Sequence, residues 1–264
     1  MLLGVDPLPL PDAESRDARL ALHWAAQLAS APGSTLLAGA PGFDHTTLSF
    51  DAARGAFLGR VVRGRRTGLE LASLVLFVER AGRVEARLPL AGKNLAEGRD
   101  WLATALGEET IALPVHDLPA RDVDAPFAAP GAGHGAAAAW FAFAHAALVP
   151  LLGLPTARLL RLWPHHFDLA LLDVIDGEGE GDRSVGLGFT LGGGALDVPY
   201  FYALPWPVPA ETAELAHGHW ETAAYVGPCL RAEDIIGAAA PRALVTSFLA
   251  EARRASRRSL GARC

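Results

Sequence analysis

The sequence predicts an α+β fold with antiparallel strands in two similar halves, each of which runs helix, strands, helix. Two observations support this prediction. Apolar residues recur at every second position in residues 46–90 and again in residues 158–206, a pattern typical of half-buried strands. Apolar stripes at helical spacing precede and follow each block, and short segments join the strands within a block. We therefore expect the two halves, residues 1–107 and 134–264, to pack as one compact α+β domain.

The first helix is expected over about residues 13–30. Asp12 stands where an N-cap residue is needed, and the apolar residues that follow it recur at helical spacing. Pro32 and Gly33 come next, and this pair is typical of a helix end. The pattern therefore predicts that the helix stops before Pro32.

A hairpin and a second helix complete the first half. The segment Arg80-Ala81-Gly82-Arg83 separates two alternating runs and predicts a tight turn between antiparallel strands. Asn94 with Glu97 three residues later forms a capping-box pattern, which predicts a helix start. An apolar stripe continues from there to Gly107, where the helix is expected to end.

The second half follows a proline-rich connection. Residues 108–133 contain four prolines among acidic and small residues, which is typical of a linker or a long surface loop. The elements expected after it are a helix at about 134–152, strands at 158–175, 183–191 and 198–204, and a last helix at about 240–259.

Composition excludes several classes of protein. The formal net charge of −6 at pH 7 argues against general nucleic-acid binding, which needs clustered cations to neutralise phosphates. Residues 136–152 come closest to a membrane span, but His145 and Pro150 interrupt them and predict a buried helix. Two cysteines, Cys229 and Cys264, cannot build a disulfide framework or a thiolate zinc site. We expect a soluble cytoplasmic protein that binds neither nucleic acid nor membrane, with its oligomeric state open.

The segment from Trp163 to Asp168 places polar groups inside an apolar run. If the strand continues through it, His166 and Asp168 share a face, while His165 points to the other side. A carboxylate beside an imidazole fixes the tautomer and raises the basicity of the ring, so the pair suits proton transfer or metal ligation. The same pair also satisfies a buried histidine in a purely structural network. We expect both side chains to be buried and hydrogen-bonded, with Pro164 able to introduce a bulge.

Two other segments are candidates for the same site. Asp44 and His45 precede the first strand, where a loop residue can act on a ligand or cap a turn. An aromatic segment that includes Tyr200, Tyr202 and Trp206 suits the rim of a small-molecule pocket, and it also suits a half-exposed strand. The expected site is a cleft with His45, His166 and Asp168 as catalytic candidates, lined by Trp163, His165, Tyr200, Tyr202 and Trp206.

Other histidines carry weaker signals. His217, His219 and Glu221 alternate, so a strand would place them on one face, where two imidazoles and a carboxylate can ligate a metal. The same spacing also arises by chance in a loop. His23 and His116 are expected on the surface or on a helix face. No complete cofactor motif is present, so the sequence leaves the cofactor open.

A family resemblance covers most of the chain. The segments Leu162–Ala170, Gly186–Phe189 and Pro199–Pro207 resemble a group of bacterial proteins without an assigned activity, as do Leu22–Leu28 and Asp44–Leu48. The segment Phe167-Asp168-Leu169-Ala170 is more distantly similar to the domain-of-unknown-function family DUF5996. The resemblance implies no particular activity, substrate or cofactor.

Two functional hypotheses follow. One is a small-molecule-binding protein or a metal-assisted enzyme with a cleft lined by histidine, aspartate and aromatic side chains. The other is a non-catalytic binding or assembly protein in which the same polar residues are structural. The sequence alone does not choose between them.

Overall fold

The computed structural model describes residues 8–9, 12–114, 116, 118–177 and 182–262. Within these residues it contains two antiparallel sheets, of five and six strands, together with five α-helices. The predicted α+β class is therefore confirmed.

The chain divides into two compact units. The N-terminal unit contains Asp12–Ala142 and Arg161–Phe167, and the C-terminal unit contains Phe143–Leu160 and the described chain from Asp168 onward. The connection 108–133 belongs to the N-terminal unit. The predicted duplication of residues 1–107 and 134–264 stays a prediction.

The N-terminal unit is built on a five-stranded meander. Each of its first five strands pairs with the next in antiparallel orientation, in the order β1-β2-β3-β4-β5. Its elements are α1 (Ala13–Leu36), a 3-10 helix (Pro41–Thr46), β1 (Ser49–Asp51), β2 (Ala56–Leu58), β3 (Arg65–Glu70), β4 (Val75–Arg80), β5 (Arg83–Pro89), α2 (Leu95–Leu106) and β6 (Arg161–Trp163).

Local signals placed the hairpin and α2 correctly. Arg80 pairs with Arg83 across a two-residue turn, in which Ala81 and Gly82 both have positive φ. Asn94 caps α2 through a complete capping box with Glu97. The helix ends at Gly107, which is left-handed and donates its N–H to carbonyls of the last turn.

The first helix is longer than predicted. Asp12 is its N-cap as expected, but α1 passes through Pro32 and ends at Leu36. Tertiary packing overrides the local breaker here, because Pro32 and Gly33 are both buried. Gly33 also lies against backbone, since a Cβ at this position would stand 2.2 Å from the carbonyl oxygen of His45.

The C-terminal unit holds a second antiparallel arrangement, with strands in the order β10-β11-β9-β8-β7. The residues of α3 from Phe143 onward belong to it. Its elements are α3 (Ala132–Leu148), a 3-10 helix (Val149–Gly153), β7 (Asp168–Val174), β8 (Ser184–Thr190), β9 (Tyr200–Trp206), β10 (His219–Glu221), β11 (Gly227–Arg231), α4 (Ala232–Ile236) and α5 (Pro241–Ser259). The alternation in the sequence did not predict the β10–β11 hairpin.

One helical segment, Ala132–Gly153, is long and apolar enough by length and composition to cross a membrane, among the residues that the structure covers. Its large aromatic side chains, such as Trp140 and Phe141, are buried in the protein, while Gly135, Ala139 and Ala146 are exposed.

The predicted strand 158–175 is interrupted. Residues 164–167 form a turn between β6 and β7, in which the N–H groups of His166 and Phe167 both donate to the carbonyl oxygen of Trp163. Pro164 lacks the N–H that a strand ladder needs, and Phe167 adopts φ +54°. The prediction that His166 and Asp168 share a strand face is therefore wrong.

Candidate functional site

One face of α1 holds two histidine-bearing loops in place. The Gln27 side chain is fully buried and donates through Nε2 to the carbonyl oxygen of Pro164, at 2.7 Å. Ser30 Oγ donates to the carbonyl oxygen of Thr46, also at 2.7 Å. Gly33, one turn further on, makes room for the His45 carbonyl. The helix therefore positions both the 3-10 helix and the turn after β6.

The turn after β6 is anchored by a buried ring. Phe167 packs edge-to-face against Phe57 and Phe141, with ring centroids 6.0 and 5.5 Å away, and it stacks on His23 at 5.0 Å. A left-handed backbone costs about 1–2 kcal/mol for a residue with a side chain, so the packing has to hold it. Phe167 thereby fixes the direction in which the preceding residues, His165 and His166, project.

Four histidines gather around Phe43, and we call His45, His116, His165 and His166 the histidine cluster. The His165 ring lies 4.7 Å from His116 in a stacked arrangement and 4.1 Å from His166, measured between centroids. Phe43 lies 5.4 Å from His165, 5.6 Å from His116 and 6.5 Å from His45. Trp163 packs edge-to-face with His165, with ring centroids 6.3 Å apart.

Phe43 is unusual in two respects. Its φ is +57°, in the left-handed region, and its side chain is 50% exposed. Water contact is unfavourable for such a ring, and the backbone conformation adds a further cost. Strained residues of this kind cluster at ligand-binding positions, where the surrounding structure maintains them.

Two imidazoles of the cluster, His116 and His165, have a lowered pKa, which favours their neutral form. Burial lowers the pKa of His165 to about 4, and the nearby His166, His116 and His23 add repulsion against a positive charge. Burial also lowers the pKa of His116, with His166 and His45 contributing. Neutral imidazoles can donate and accept hydrogen bonds at physiological pH.

Two ring nitrogens of the cluster are buried and unsatisfied among the described residues. Among the described residues, His116 Nε2 and His165 Nδ1 are buried and have no hydrogen-bond partner. His45 Nδ1, in contrast, accepts the N–H of Ala40 at 3.1 Å. Unsatisfied buried nitrogens cost free energy, and a ligand that bonds to them recovers it.

Arginines flank the cluster. Arg60 contacts the Asp44 carboxylate at 3.3 Å, directly beside Phe43 and His45. Arg161 shares a strand face with Trp163, and its pKa is lowered by burial and by the positive charge of Arg60, against the attraction of Asp44. The Asp44 carboxylate therefore lies near both guanidinium groups.

The C-terminal unit holds a different group of rings, which we call the tyrosine cluster: Tyr200, Tyr202 and Tyr225. Tyr200 stacks on Tyr225 at 6.0 Å, and Tyr202 lies 6.1 Å from each of them. The Tyr202 hydroxyl donates to the buried Asp168 carboxylate. Burial raises the pKa of all three phenols, so they stay protonated.

Glycine and cysteine complete the tyrosine cluster. Gly188 pairs with Tyr202 across β8 and β9, and a Cβ there would stand 2.5 Å from the Tyr202 ring. Cys229 pairs with Tyr202 from β11, and burial raises the pKa of its thiol. At Gly188, β8 therefore packs closely against an aromatic ring.

The predicted site residues fall into two sets. His45, His165, His166 and Trp163 come together in the N-terminal unit, and Asp168, Tyr200 and Tyr202 come together in the C-terminal unit. Trp206 stands at the end of β9 and is 51% exposed. His166 is exposed, which corrects the expectation of burial, because the turn directs it outward. One cleft shared by both sets stays a prediction.

The weak metal candidates His217, His219 and Glu221 lie at and next to β10, where His219 Nε2 stands 3.8 Å from a Glu221 carboxylate oxygen. The Glu221 carboxylate accepts the N–H groups of Thr222, Ala223 and Ala224, which lower its pKa to about 2, and it also contacts Arg231. His217 and His219 instead line an open cavity of about 330 Å³ with Asp234. Across the described residues, no group of three or more His, Cys, Asp or Glu side chains is arranged to hold a metal ion.

Three residues in or next to the histidine cluster were not predicted from the sequence. His116 comes from the proline-rich connection, where no periodicity indicates what a side chain faces. His23 is only 8% exposed, which contradicts a surface position, although it lies on a helix as expected. Phe43 could have been found from the sequence, because it stands directly before the candidate residues Asp44 and His45 in a loop segment with proline and glycine.

Comparisons with known proteins add no assignment: no family model, curated protein or solved structure matches this chain.

Proposed function

We propose that the histidine cluster binds a small molecule and that reversible binding at this position is the function of the protein. The observation that carries the proposal is the exposed, left-handed Phe43 next to buried imidazole nitrogens that lack partners among the described residues. Pockets for small molecules combine apolar walls with a few convergent polar groups, and this cluster has both.

The details favour binding over proton transfer. A catalytic imidazole is usually oriented by a carboxylate that accepts from its ring N–H. In the histidine cluster, His45 Nδ1 accepts a backbone N–H; the Asp168 carboxylate belongs to the C-terminal unit and accepts from Tyr202. A pKa of about 4 makes His165 a weak base near neutral pH. These properties suit a hydrogen-bonding wall for a ligand.

Nuclear magnetic resonance of the histidine rings tests the proposal. A library of several hundred soluble fragments is added to the protein, and the ring C–H resonances of its nine histidines, assigned by single His→Gln variants, are followed. Binding fragments should shift the resonances of His45, His116, His165 and His166 and leave those of His217 and His219 in place. Fragments that bind only elsewhere, or no binding fragment, would contradict the proposal.

A pair of variants provides the control. Phe43→Ala should weaken binding of the selected fragments by about tenfold or more, since a central aromatic contact is worth more than 1 kcal/mol. Val61→Ala removes another strongly exposed apolar side chain of the same unit and should leave binding unchanged. Equal binding by wild type and Phe43→Ala would place the fragment site elsewhere.

A further inference from the structure

We infer that the cavity lined by His217, His219 and Asp234 is a second binding site, which takes a small organic ammonium ion with an apolar tail. The cavity is open, has a volume of about 330 Å³ and lies in the C-terminal unit, so the inference does not depend on the function proposed for the histidine cluster. It follows from three features of the cavity: a wall with a fixed backbone, carboxylates without a cationic partner, and apolar surface beside them.

One wall of the cavity is the segment Ala216–His219, which other elements hold in place. The N–H of Ala216 donates to the Glu251 carboxylate of α5. Gly218 has φ +70° and lies against β11, since a Cβ at this position would stand 2.3 Å from the carbonyl oxygen of Cys229. A ligand therefore does not have to order the backbone that carries the two histidines, which lowers the cost of binding.

The carboxylates at this wall favour a positively charged ligand. Asp234 lines the cavity and makes no hydrogen bond or ion pair within the described part of the chain. Glu251 accepts the N–H of the wall but has no ion-pair partner among the same residues. Glu221, 3.8 Å from His219, is in contrast already paired with Arg231. A cation in the cavity would thus be attracted by two carboxylates whose charge is not already paired.

The lining suits an ammonium ion better than a metal ion. A tightly bound metal needs three or more protein ligands in a fixed geometry, and the described residues contain no such group. An organic ammonium donates up to three hydrogen bonds, which the Asp234 carboxylate and a neutral imidazole of His217 or His219 can accept. Leu230 and Leu244 line the same cavity and provide apolar surface for the carbon part of the ligand.

A titration with three matched probes tests the class of ligand. The probes are 2-phenylethylamine, 2-phenylethanol, which lacks the charge, and ethylamine, which lacks the ring. Binding is followed at pH 8 through the assigned ring C–H resonances of His217 and His219, with pH-matched probe solutions and a chelator that removes metal ions. We expect 2-phenylethylamine to bind at least about tenfold more tightly than either of the others, because a charge-assisted contact and a buried ring each contribute that much. Equal binding of the amine and the alcohol would overturn the inference, and so would the absence of amine binding.

A charge-removing variant locates the contact. Asp234→Asn should weaken binding of 2-phenylethylamine by about tenfold and leave binding of 2-phenylethanol unchanged. Glu233→Gln removes the neighbouring carboxylate of α4, which is exposed and does not line the cavity, and should change amine binding by less than about twofold. Unchanged amine binding in Asp234→Asn, or an equal loss in both variants, would overturn the inference.

The other histidine resonances distinguish this site from the histidine cluster. Binding of 2-phenylethylamine should shift the resonances of His217 and His219 and leave those of the histidine cluster in place. Shifts confined to the histidine cluster would overturn the second site and would support the proposed function. If the amine shifts neither set, the second site fails, and the fragment screen still decides the function of the histidine cluster.

Discussion

The histidine cluster and the tyrosine cluster are both groups of polar rings, but their central rings differ: the Tyr202 hydroxyl has a hydrogen-bond acceptor, whereas a ring nitrogen of His116 and one of His165 have no partner among the described residues. In the tyrosine cluster, Tyr202 donates to Asp168 within regular strands. In the histidine cluster, buried nitrogens of His116 and His165 lack partners among the described residues, and Phe43 adopts a left-handed conformation. A satisfied polar group stabilises the fold, whereas an unsatisfied group on a strained loop is available to a ligand.

The difference also appears in the backbone. The tyrosine cluster depends on strand register, since Gly188, Tyr202 and Cys229 face each other across three paired strands. The histidine cluster depends on loops that a helix pins through Gln27 and Ser30. Loops carried by a rigid scaffold are the usual place for binding residues.

The largest expected effect tests the tyrosine cluster. Tyr202→Phe should lower the free energy of unfolding by about 3 kcal/mol, because it removes a hydrogen-bond donor from a buried carboxylate. Tyr200→Phe is the matched control on the same strand face. Its hydroxyl makes no hydrogen bond within the described part of the chain, so a loss below about 1 kcal/mol is expected. Urea unfolding measures the loss of unfolding free energy in both variants. Equal losses would show that the Tyr202–Asp168 hydrogen bond does not stabilise the fold more than the Tyr200 hydroxyl does.

A smaller effect comes from acid titration next to the histidine cluster. Burial lowers the pKa of His23 to about 4, with Arg19 and His166 adding repulsion and the carbonyls of Pro164 and His165 opposing it. The unfolded chain therefore takes up this proton before the folded one does. The contribution of neutral His23 to the free energy of unfolding is fully present above the pKa of His23 in the unfolded chain. This contribution is lost as the pH falls from there toward 4.

His23→Phe isolates this contribution and keeps a flat ring against Phe167. Between about pH 7.5 and pH 5, the wild type should lose about 2 kcal/mol more unfolding free energy than the variant. Comparing the two pH values within each protein cancels any packing change that the variant introduces. An identical pH dependence of the two proteins would show that His23 titrates normally in the fold.

The smallest expected change in stability concerns Phe43. Phe43→Gly should leave the free energy of unfolding unchanged or raise it by up to about 1 kcal/mol, because glycine adopts positive φ without strain. The same variant should lose ligand binding. Phe167 has nearly the same φ but a buried ring, so Phe167→Gly should cost about 3 kcal/mol or more. A large destabilisation by Phe43→Gly would assign Phe43 to the core instead of a ligand site.

Local patterns predicted the fold better than the candidate site. Asn94 and Glu97 predict the start of α2, because both residues of a capping box lie within one helical turn. The break at residues 164–167 was harder to place, since Pro164 indicates an irregularity but not its shape. The partners of His165 were not predictable, because His116 lies in a connection without periodicity. Gln27 reaches Pro164 across 137 positions, a distance that no local pattern encodes.

The N-terminal unit is built from two separate segments of the chain, and this has a consequence for synthesis on the ribosome. The unit takes in Asp12–Ala142 and then Arg161–Phe167, so its final piece ends 25 residues after the main segment. At about 5–20 residues per second, a nascent chain waits roughly 1–5 s between the two. During that interval Phe57 and Phe141 lack the Phe167 ring that packs against both of them, and Gln27 lacks its acceptor at Pro164. The candidate ligand site is therefore assembled late in translation, after most of the scaffold around it has been made.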